Sequence, residues 1–329
     1  MAILVTGGTG FLGANVVRLL AEQGRDIVAY DVLPPAPASV FADVIDHVKV
    51  EIGNVTDLSH VLHVIKRNKV EGIIHTAAIV TGAANAHPLE ALQVNIIGSA
   101  NMLEAARIMD LKRVIIFSSS SVMGGPEDFI TPRKEEEYSL PLSSIYPVSK
   151  LTCEQLTYTY RELYKVDAIT VRPCGGFGPG EKRARESDAP IFELVKDAVE
   201  GKAIRRETGG DTAKDLTYVK DFAKGVVQAY DCKAPRYYLY NISFGKNRTV
   251  FQICDVLRQV FPGLPIEVGP GLWSGALKTG KQADLTYRRT QRPPQDITRA
   301  REDFGFEPEW DLDRAIPHWV RWLKEGKYG

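Results

Sequence analysis

The first thirty-one residues constrain this chain more than any other stretch. Ala2–Thr6 is an apolar run long enough for one buried strand. Thr6-Gly-Gly-Thr-Gly-Phe-Leu-Gly13 follows, with glycines at 7, 10 and 13. Residues 14–23 place Val16, Val17, Leu19 and Leu20 at helical spacing, and Gly24 stands where a helix C-cap would be. Residues 27–30 read as a second strand, which ends on Asp31, eighteen residues after Gly13. Strand, glycine turn, helix and acid-tipped strand in that order form a dinucleotide cradle. Gly7 permits the tight turn, Gly10 lets backbone approach a pyrophosphate, and Gly13 lets helix pack closely on strand. The helix N-terminus then presents N–H groups and a positive dipole end to the phosphates.

Asp31 also chooses between dinucleotides. A carboxylate there accepts hydrogen bonds from the adenosine ribose hydroxyls and repels a 2′-phosphate. Residues 32–41 contain no Arg or Lys to hold such a phosphate. The expected cofactor is NAD rather than NADP.

Composition bounds the remaining classes. A chain of 329 residues accommodates one large domain or two smaller ones. Its 41 basic and 41 acidic residues cancel, so charge favours neither nucleic acid nor a membrane surface as partner. Cys153, Cys174, Cys232 and Cys254 are scattered without a C-x-x-C pair, which fits reduced thiols and no metal site. The first strand starts at once, so no cleavable signal is expected. No apolar run approaches the roughly 20 residues of a membrane helix. The expectation is a soluble, cytoplasmic protein.

Beyond Asp31, strands alternate with helices. Residues 34–37 are a Pro-rich loop, 47–52 a third strand and 58–68 a short helix. Residues 72–78 form a buried fourth strand running into a small-residue turn. A long helix is expected over 88–109, with Leu89, Leu92, Ile96, Ala100 and Leu103 on one face. A fifth strand, Arg113–Phe117, ends in four serines, 118–121. Ser143 or Ser144 can cap a helix from about 145 to 164, and 168–172 is a sixth strand. This alternation predicts an α/β fold, a parallel sheet with helices on both faces. From Pro173 the rhythm changes to loop, including a charged run at 181–188. A helix over 189–200, a polar hairpin-like region through Asp215, a helix over 219–229 and a strand over 237–243 follow. Helices near 249–261 and 312–324 end the pattern. The C-terminal third reads as a smaller, loop-rich lobe for substrate recognition.

Tyr146 and Lys150 stand four residues apart, on one face of a helix. An ammonium beside a phenol favours the phenolate, and the positive charge of an oxidised nicotinamide adds to this. Such a tyrosine takes a proton from an alcohol as hydride leaves, then returns it. Ser118–Ser121 lie at the carboxyl end of a strand, where ligands of open α/β sheets bind. A hydroxyl there can hold the substrate oxygen beside the tyrosine.

These stretches together resemble the extended short-chain dehydrogenases/reductases, the NAD-dependent epimerase/dehydratase family. The resemblance is carried by residues 6–13, Asp31, Gly53-Asn-Val-Thr-Asp57, His75-Thr-Ala-Ala78, the 95–105 stretch, Ser118–Gly124 and Tyr146-x-x-x-Lys150. It continues through Arg172-Pro173, Gly178-Pro-Gly180, Lys214–Asp221 and 296–308, so it spans essentially the whole chain in order. It implies a Rossmann-type, doubly wound parallel sheet with a smaller, loop-rich C-terminal substrate lobe. The NAD-binding domain would comprise 1–172 plus about 217–245, and the lobe 173–216 and 246–329. Tyr146 would be the acid/base and Lys150 its partner and a nicotinamide-ribose ligand. Ser119 would be the catalytic hydroxyl, with Ser120 the alternative. Gly7, Gly10, Phe11, Leu12, Asp31, Asn54, Val55, Ala77, Ala78, Asn95 and Pro173 would serve the cofactor, and Thr81, Ser119, Ser120 and Lys214 the substrate. A homodimer through the helices at 88–109 and 145–164 is also implied.

Several departures bear on the substrate. Asn54 replaces the usual adenine-binding Asp, and Met123 a tyrosine that often faces the substrate. Gly175 stands where sugar-nucleotide enzymes often carry Asn. Lys214 replaces an Arg that often grips the diphosphate, keeping charge but losing the bidentate fork. Ser120 and Ser121 occupy the places of a dehydratase's Asp-Glu pair, which argues against a 4,6-dehydratase. Two activities remain: epimerisation of a nucleotide sugar, most simply a UDP-glucose-type 4-epimerase, or NAD-dependent oxidation of a smaller sugar, sugar acid or hydroxy acid with release of NADH. Lys214, with Arg183 or Arg185, is expected to bind an anionic group of the substrate.

The Asp31 argument is measurable directly. NAD should bind at least about tenfold more tightly than NADP by calorimetry, a difference of roughly 1.4 kcal/mol, and Asp31→Ala should narrow the gap. Equal affinities in the unsubstituted protein would refute it.

Overall fold

The computed structural model describes all residues except 37–39, 124–130, 139, 181–189, 274–292, 327 and 329. Six apolar runs become the strands β1 (Ala2–Thr6), β2 (Ile27–Asp31), β3 (Val48–Ile52), β4 (Val70–His75), β5 (Arg113–Phe117) and β6 (Ala168–Pro173). With Leu239–Ile242 they form one seven-stranded sheet in the order Leu239–Ile242, β6, β5, β4, β1, β2, β3. Every pairing in it is parallel. Both faces are covered, which is why these strands are continuously apolar rather than alternating. Strand order reverses between β1 and β4, and there Thr6 pairs with both Tyr30 and His75.

Helices α1 (Phe11–Glu22), α2 (Leu58–Arg67), α3 (Thr81–Ala86), α4 (Pro88–Leu92), α5 (Gly98–Met109) and α6 (Ile145–Tyr164) follow in turn. Asp57 caps α2 by accepting the His60 amide at 3.0 Å. One face of the sheet packs against α1 and the helix Val219–Asp231, through Val16, Leu20, Phe222 and Val226. The other packs against α2, α5 and α6, through Val61, Val64, Leu103 and Cys153. The long helix expected over 88–109 is interrupted: a π-type turn, Gln93–Ile97, separates α4 from α5.

A third core lies around the fully buried Trp319, formed by the helices Ile191–Val199, Val250–Val260 and Leu312–Glu325. The hairpin expected before Asp215 is replaced by two long-range pairings. Ile204–Arg206 runs parallel to Ile266–Val268, and Ala213–Asp215 antiparallel to Asn247–Thr249. The expected lobe of 246–329 does not pack as one unit either. Ile297, Ala300, Phe306 and Tyr328 join the core of the sheet, where helix Thr298–Phe304 covers the edge strand Leu239–Ile242. All four cysteines are free. No helix among the described residues is long and apolar enough to cross a membrane.

The sheet and α6 are joined by an ion pair excluded from water. Arg172 Nε and one terminal nitrogen donate to the two Glu154 carboxylate oxygens, each at 2.7 Å, and both side chains are 0% exposed. Removing one member leaves an uncompensated buried charge, which typically costs 3–5 kcal/mol. Arg172→Met should therefore lower unfolding free energy by about that amount in urea titrations. A loss within the roughly 0.5 kcal/mol of an ordinary surface change would refute the role given to the pair.

Candidate active site

A cleft of about 850 Å³ opens over the carboxyl ends of β1, β2, β4, β5 and β6, at the reversal of strand order. Gly7, Gly10, Phe11 and Leu12 form one wall. Gly7 has φ of +65°, and a Cβ on Gly13 would lie 2.2 Å from the Gly7 carbonyl oxygen. Only glycine lets α1 sit this closely on the turn. Helix α1 has no side-chain N-cap, so its N-terminal end faces the cleft without one. Asp31 Oδ2 accepts from the Thr9 amide at 3.1 Å and the Thr9 hydroxyl at 2.8 Å. Its Oδ1 accepts from the Val32 amide at 2.8 Å, so the carboxylate's orientation is set. Asn54, Val55, Ala77 and Ala78 continue this wall. The Tyr30 hydroxyl donates to the Asn54 carbonyl at 3.1 Å, and Asn101 Nδ2 to the Val55 carbonyl at 2.9 Å. A backbone cradle without room for a Cβ, an uncapped helix start and an oriented carboxylate together fit a dinucleotide.

Tyr146 and Lys150 reach the other half of the cleft from the first turns of α6. Lys150 is 1% exposed; its Nζ donates to the Phe117 carbonyl at 2.7 Å and lies 5.9 Å from the Tyr146 ring centre. The four serines divide. Ser118 turns inward and donates to Glu154 at 2.5 Å, whereas Ser119 stays partly exposed and its Oγ accepts the Ser121 amide at 3.2 Å. Ser119, Ser120, Thr81, Pro173 and Lys214 all line the cleft. Thr81 has φ of +27°, an unusual conformation for a β-branched residue. Arg183 and Arg185 lie outside the described residues.

Asn95, expected among the cofactor contacts, lies beneath the cleft instead, fully buried in the π-type turn. Its Oδ1 accepts the Ile79 amide at 2.8 Å, and its Nδ2 donates to the Ile79 carbonyl at 2.9 Å and Ser149 Oγ at 2.9 Å. Ser149 in turn donates to the Tyr146 carbonyl at 2.8 Å. Asn95 thus ties the loop after β4 to the turn of α6 that carries Tyr146. Next to it, His75 lies between Thr6 Oγ1 at 2.6 Å and Ser99 Oγ at 3.1 Å. Burial, and then the charge of Lys150, push its pKa down to about 3, so the ring is neutral.

Several lining residues carry no local sequence signal. Asn85 Oδ1 accepts the Ile145 amide at 3.2 Å, a role at the start of α6 that Ser144 leaves open. Leu140–Ser144 and Cys174 reach the cleft only through the fold. Asp215 lines it too, 2% exposed, accepting Ser243 Oγ at 2.7 Å and the amides of Gln295 and Gly245 at 3.0 and 3.2 Å. Burial outweighs those hydrogen bonds and pushes its carboxyl up to about 6. A Cβ on Gly175, where φ is +53°, would fall 2.0 Å from the Asp215 carbonyl oxygen. Position 175 can therefore offer the cleft only backbone.

Residues 3–243 match the NAD dependent epimerase/dehydratase family. A UDP-glucuronate 4-epimerase of Thermodesulfobacterium geofontis is 27% identical over 338 residues, covering 98% of this chain and 96% of that protein. The crystal structure of a Thermotoga maritima UDP-glucose 4-epimerase with UDP-glucose superposes with a TM-score of 0.81 at 23% identity, covering 99% of each chain. A GalE-like L-threonine dehydrogenase from Cupriavidus necator gives a TM-score of 0.81 at 23% identity, covering 98% of this chain and 100% of that one. The two structures are similar in fold. The match over 3–243 goes further: the chain belongs to the NAD dependent epimerase/dehydratase family, and NAD is its cofactor.

Proposed function

We propose that this protein moves hydride between NAD and a secondary alcohol of a sugar-like substrate, with Ser119, Tyr146 and Lys150 as its catalytic group. The observation that supports this best is their meeting in one cleft with the glycine turn and Asp31. NAD, when bound, supplies acceptance and return of hydride at its nicotinamide. Gly7, Gly10, Phe11 and Leu12 would hold its pyrophosphate, Asp31 its ribose, Asn54 and Val55 the adenine. Ala77 and Ala78 would hold its middle, and Pro173 would pack on the nicotinamide. Tyr146 takes the alcohol proton as the C–H bond breaks, and gives it back when hydride returns to the carbonyl. Lys150, buried below the ring and donating to Phe117, stabilises negative charge on the phenol oxygen. Ser119 holds the reacting oxygen, a role closed to Ser118 by its bond to Glu154.

For the substrate, the leading reading is a nucleotide sugar epimerised at C4. The full-length likeness to proteins named UDP-glucuronate and UDP-glucose 4-epimerases supports it. In that reading the keto sugar turns over in the cleft before hydride returns to its other face. Gly175 favours the second reading, net dehydrogenation of a smaller hydroxy compound, because no side chain at 175 can reach a nucleotide. The likeness to an L-threonine dehydrogenase is consistent with that alternative. Lys214 would meet an anionic group in either case. UDP-sugars interconverted without net NADH mark the first reading, and stoichiometric NADH from a hydroxy compound marks the second.

The chain would act as a homodimer through the helices at 88–109 and α6. These carry exposed apolar residues, among them Leu89 at 76%, Ile108, Tyr158 and Leu163 at 68%. Light scattering at micromolar concentration should give twice the chain mass, and a monomer would count against the assembly.

Tyr146→Phe keeps the ring but removes the acid/base. NAD binding should survive while turnover falls by about 10²–10⁴, the usual contribution of such catalysis. Lys150→Ala should lose as much and also weaken NAD. Ser119→Ala should cost roughly 10- to 100-fold, as for one hydrogen bond to a charged group. A Tyr146→Phe protein that turns over like the parent would end this reading.

A further inference from the structure

Tyr328 lies beyond the last helix, yet its side chain is buried in the core under α1. Three groups fix it. Its carbonyl accepts from His318 Nε2 at 2.7 Å and from Lys220 Nζ at 3.5 Å. The carbonyl has no hydrogen to give, so Nε2 carries the proton and Nδ1 accepts from the Tyr218 hydroxyl. The Arg18 guanidinium and Lys220 ammonium lie over the Tyr328 ring, 4.1 and 4.7 Å from its centre. Arg18 belongs to α1, whereas His318 belongs to the helix of the Trp319 core.

The phenol reaches the cofactor end of α1. Its hydroxyl donates to Asn15 Oδ1. Asn15 is 1% exposed, and its Nδ2 donates to the Phe11 carbonyl at 2.8 Å and the Pro179 carbonyl at 3.0 Å. An amide has one donor end and one acceptor end. Two carbonyls on one side and one phenol on the other allow a single orientation. Burial holds the Tyr328 phenol well above the usual tyrosine range, so it remains a donor. Reversed, the amide would set its oxygen against two carbonyl oxygens and its NH₂ against the phenol. The two carbonyls thus orient the amide, and the phenol anchors its oxygen end, tying the group that joins the first turn of α1 to the loop at 178–180, which continues from the cleft-lining residues Pro173–Gly176.

We propose that Tyr328 is a positioning residue of the cofactor site, a strap that acts through Asn15 to hold the first turn of α1 against the 178–180 loop. The proposal rests on the reading of residues 7–13 as the pyrophosphate cradle. It concerns a side chain outside the cleft and outside every motif that carries the family resemblance.

Calorimetric titration of NAD into the purified protein tests it, with Tyr328→Phe, Asn15→Ala and the double variant beside the parent. Tyr328→Phe keeps the ring, both cation contacts and the carbonyl, and removes only the hydroxyl. NAD should bind it about three- to tenfold more weakly, the scale of one hydrogen bond. Hydrogen exchange over residues 10–16 should quicken by a similar factor in the NAD-free protein. Because the phenol acts through Asn15, adding Tyr328→Phe to Asn15→Ala should change affinity by less than about twofold. A merely structural tyrosine would lower the urea midpoint and leave the NAD affinity of folded protein unaltered; that result overturns the proposal. So do effects that multiply in the double variant. Should Asn15→Ala not fold, affinity and exchange in Tyr328→Phe decide alone. If the parent itself fails to bind NAD, the cradle reading is what falls, and exchange at 10–16 still decides the strap.

Discussion

The structure depends on the carboxylate of Glu154. Four donors converge on it: two Arg172 nitrogens, the Ser118 hydroxyl and the Tyr138 hydroxyl at 2.9 Å. Arg172 also donates to the Glu135 carbonyl at 2.9 Å, and its guanidinium lies 4.8 Å from the centre of the Tyr138 ring. Burying two charges costs several kcal/mol per ion unless geometry and further hydrogen bonds offset it. Here the further bonds come from two segments, Ser118 and residues 135–138, so the placement of both against β6 and α6 follows from satisfying one ion pair. Glu154 stands one turn beyond Lys150 on the same face of α6. The register that satisfies Glu154 is therefore also the register that brings Lys150 under the end of β5.

Lys150 is handled in the opposite manner. Among the described residues its ion has no carboxylate partner, and its hydrogen bond goes to a neutral carbonyl. The buried imidazole of His75 is kept uncharged by burial and by Lys150 itself. Lys150 thus brings to the cleft a positive charge that no ion pair among the described residues cancels. Glu154 and Arg172 neutralise each other below, so their pair does not offset the Lys150 ammonium. In a medium of low effective dielectric that difference is large.

What was legible in the sequence was local. The strands of the sheet and the glycine turn follow from short runs whose period and end residues are set by neighbours in the chain. Tyr146 and Lys150 were legible because helical spacing puts them on one face, and Asp31 because it ends a strand. Pairing over long distances was not. Ile204–Arg206 finds its partner some sixty residues later in Ile266–Val268, and nothing in either three-residue strand names the other. Helix Thr298–Phe304 was missed because its seven residues are mostly polar and only Ala300 is buried. The inward turn of Ser118 was hidden among four identical residues, since only the distant Glu154 distinguishes it. The contacts of Asn95 with Ile79 and Ser149 were not legible, because the interruption of its helix at Gln93–Ile97 contains no Gly or Pro to announce it.

That interruption has a consequence for the outside of the molecule. Each residue advances an α-helix by about 100°. The wider turn at Gln93–Ile97 takes up extra chain without a matching advance, so residues before and after it are phased differently from those of an unbroken helix. Leu89 lies on one side of the turn, Leu103 and Ile108 on the other; Leu103 is buried while Leu89 and Ile108 face outward. Shortening this stretch by one residue would restore a regular helix with the phase beyond it kept, whereas losing one residue from the regular turns of α5 would swing every side chain beyond by about 100°. The inner surface that supports Asn95 and the outer surface that presents Ile108 are thus set by the same local miscount. Within this helix the turn is thus the place where the loss of one residue would disturb the outer face least.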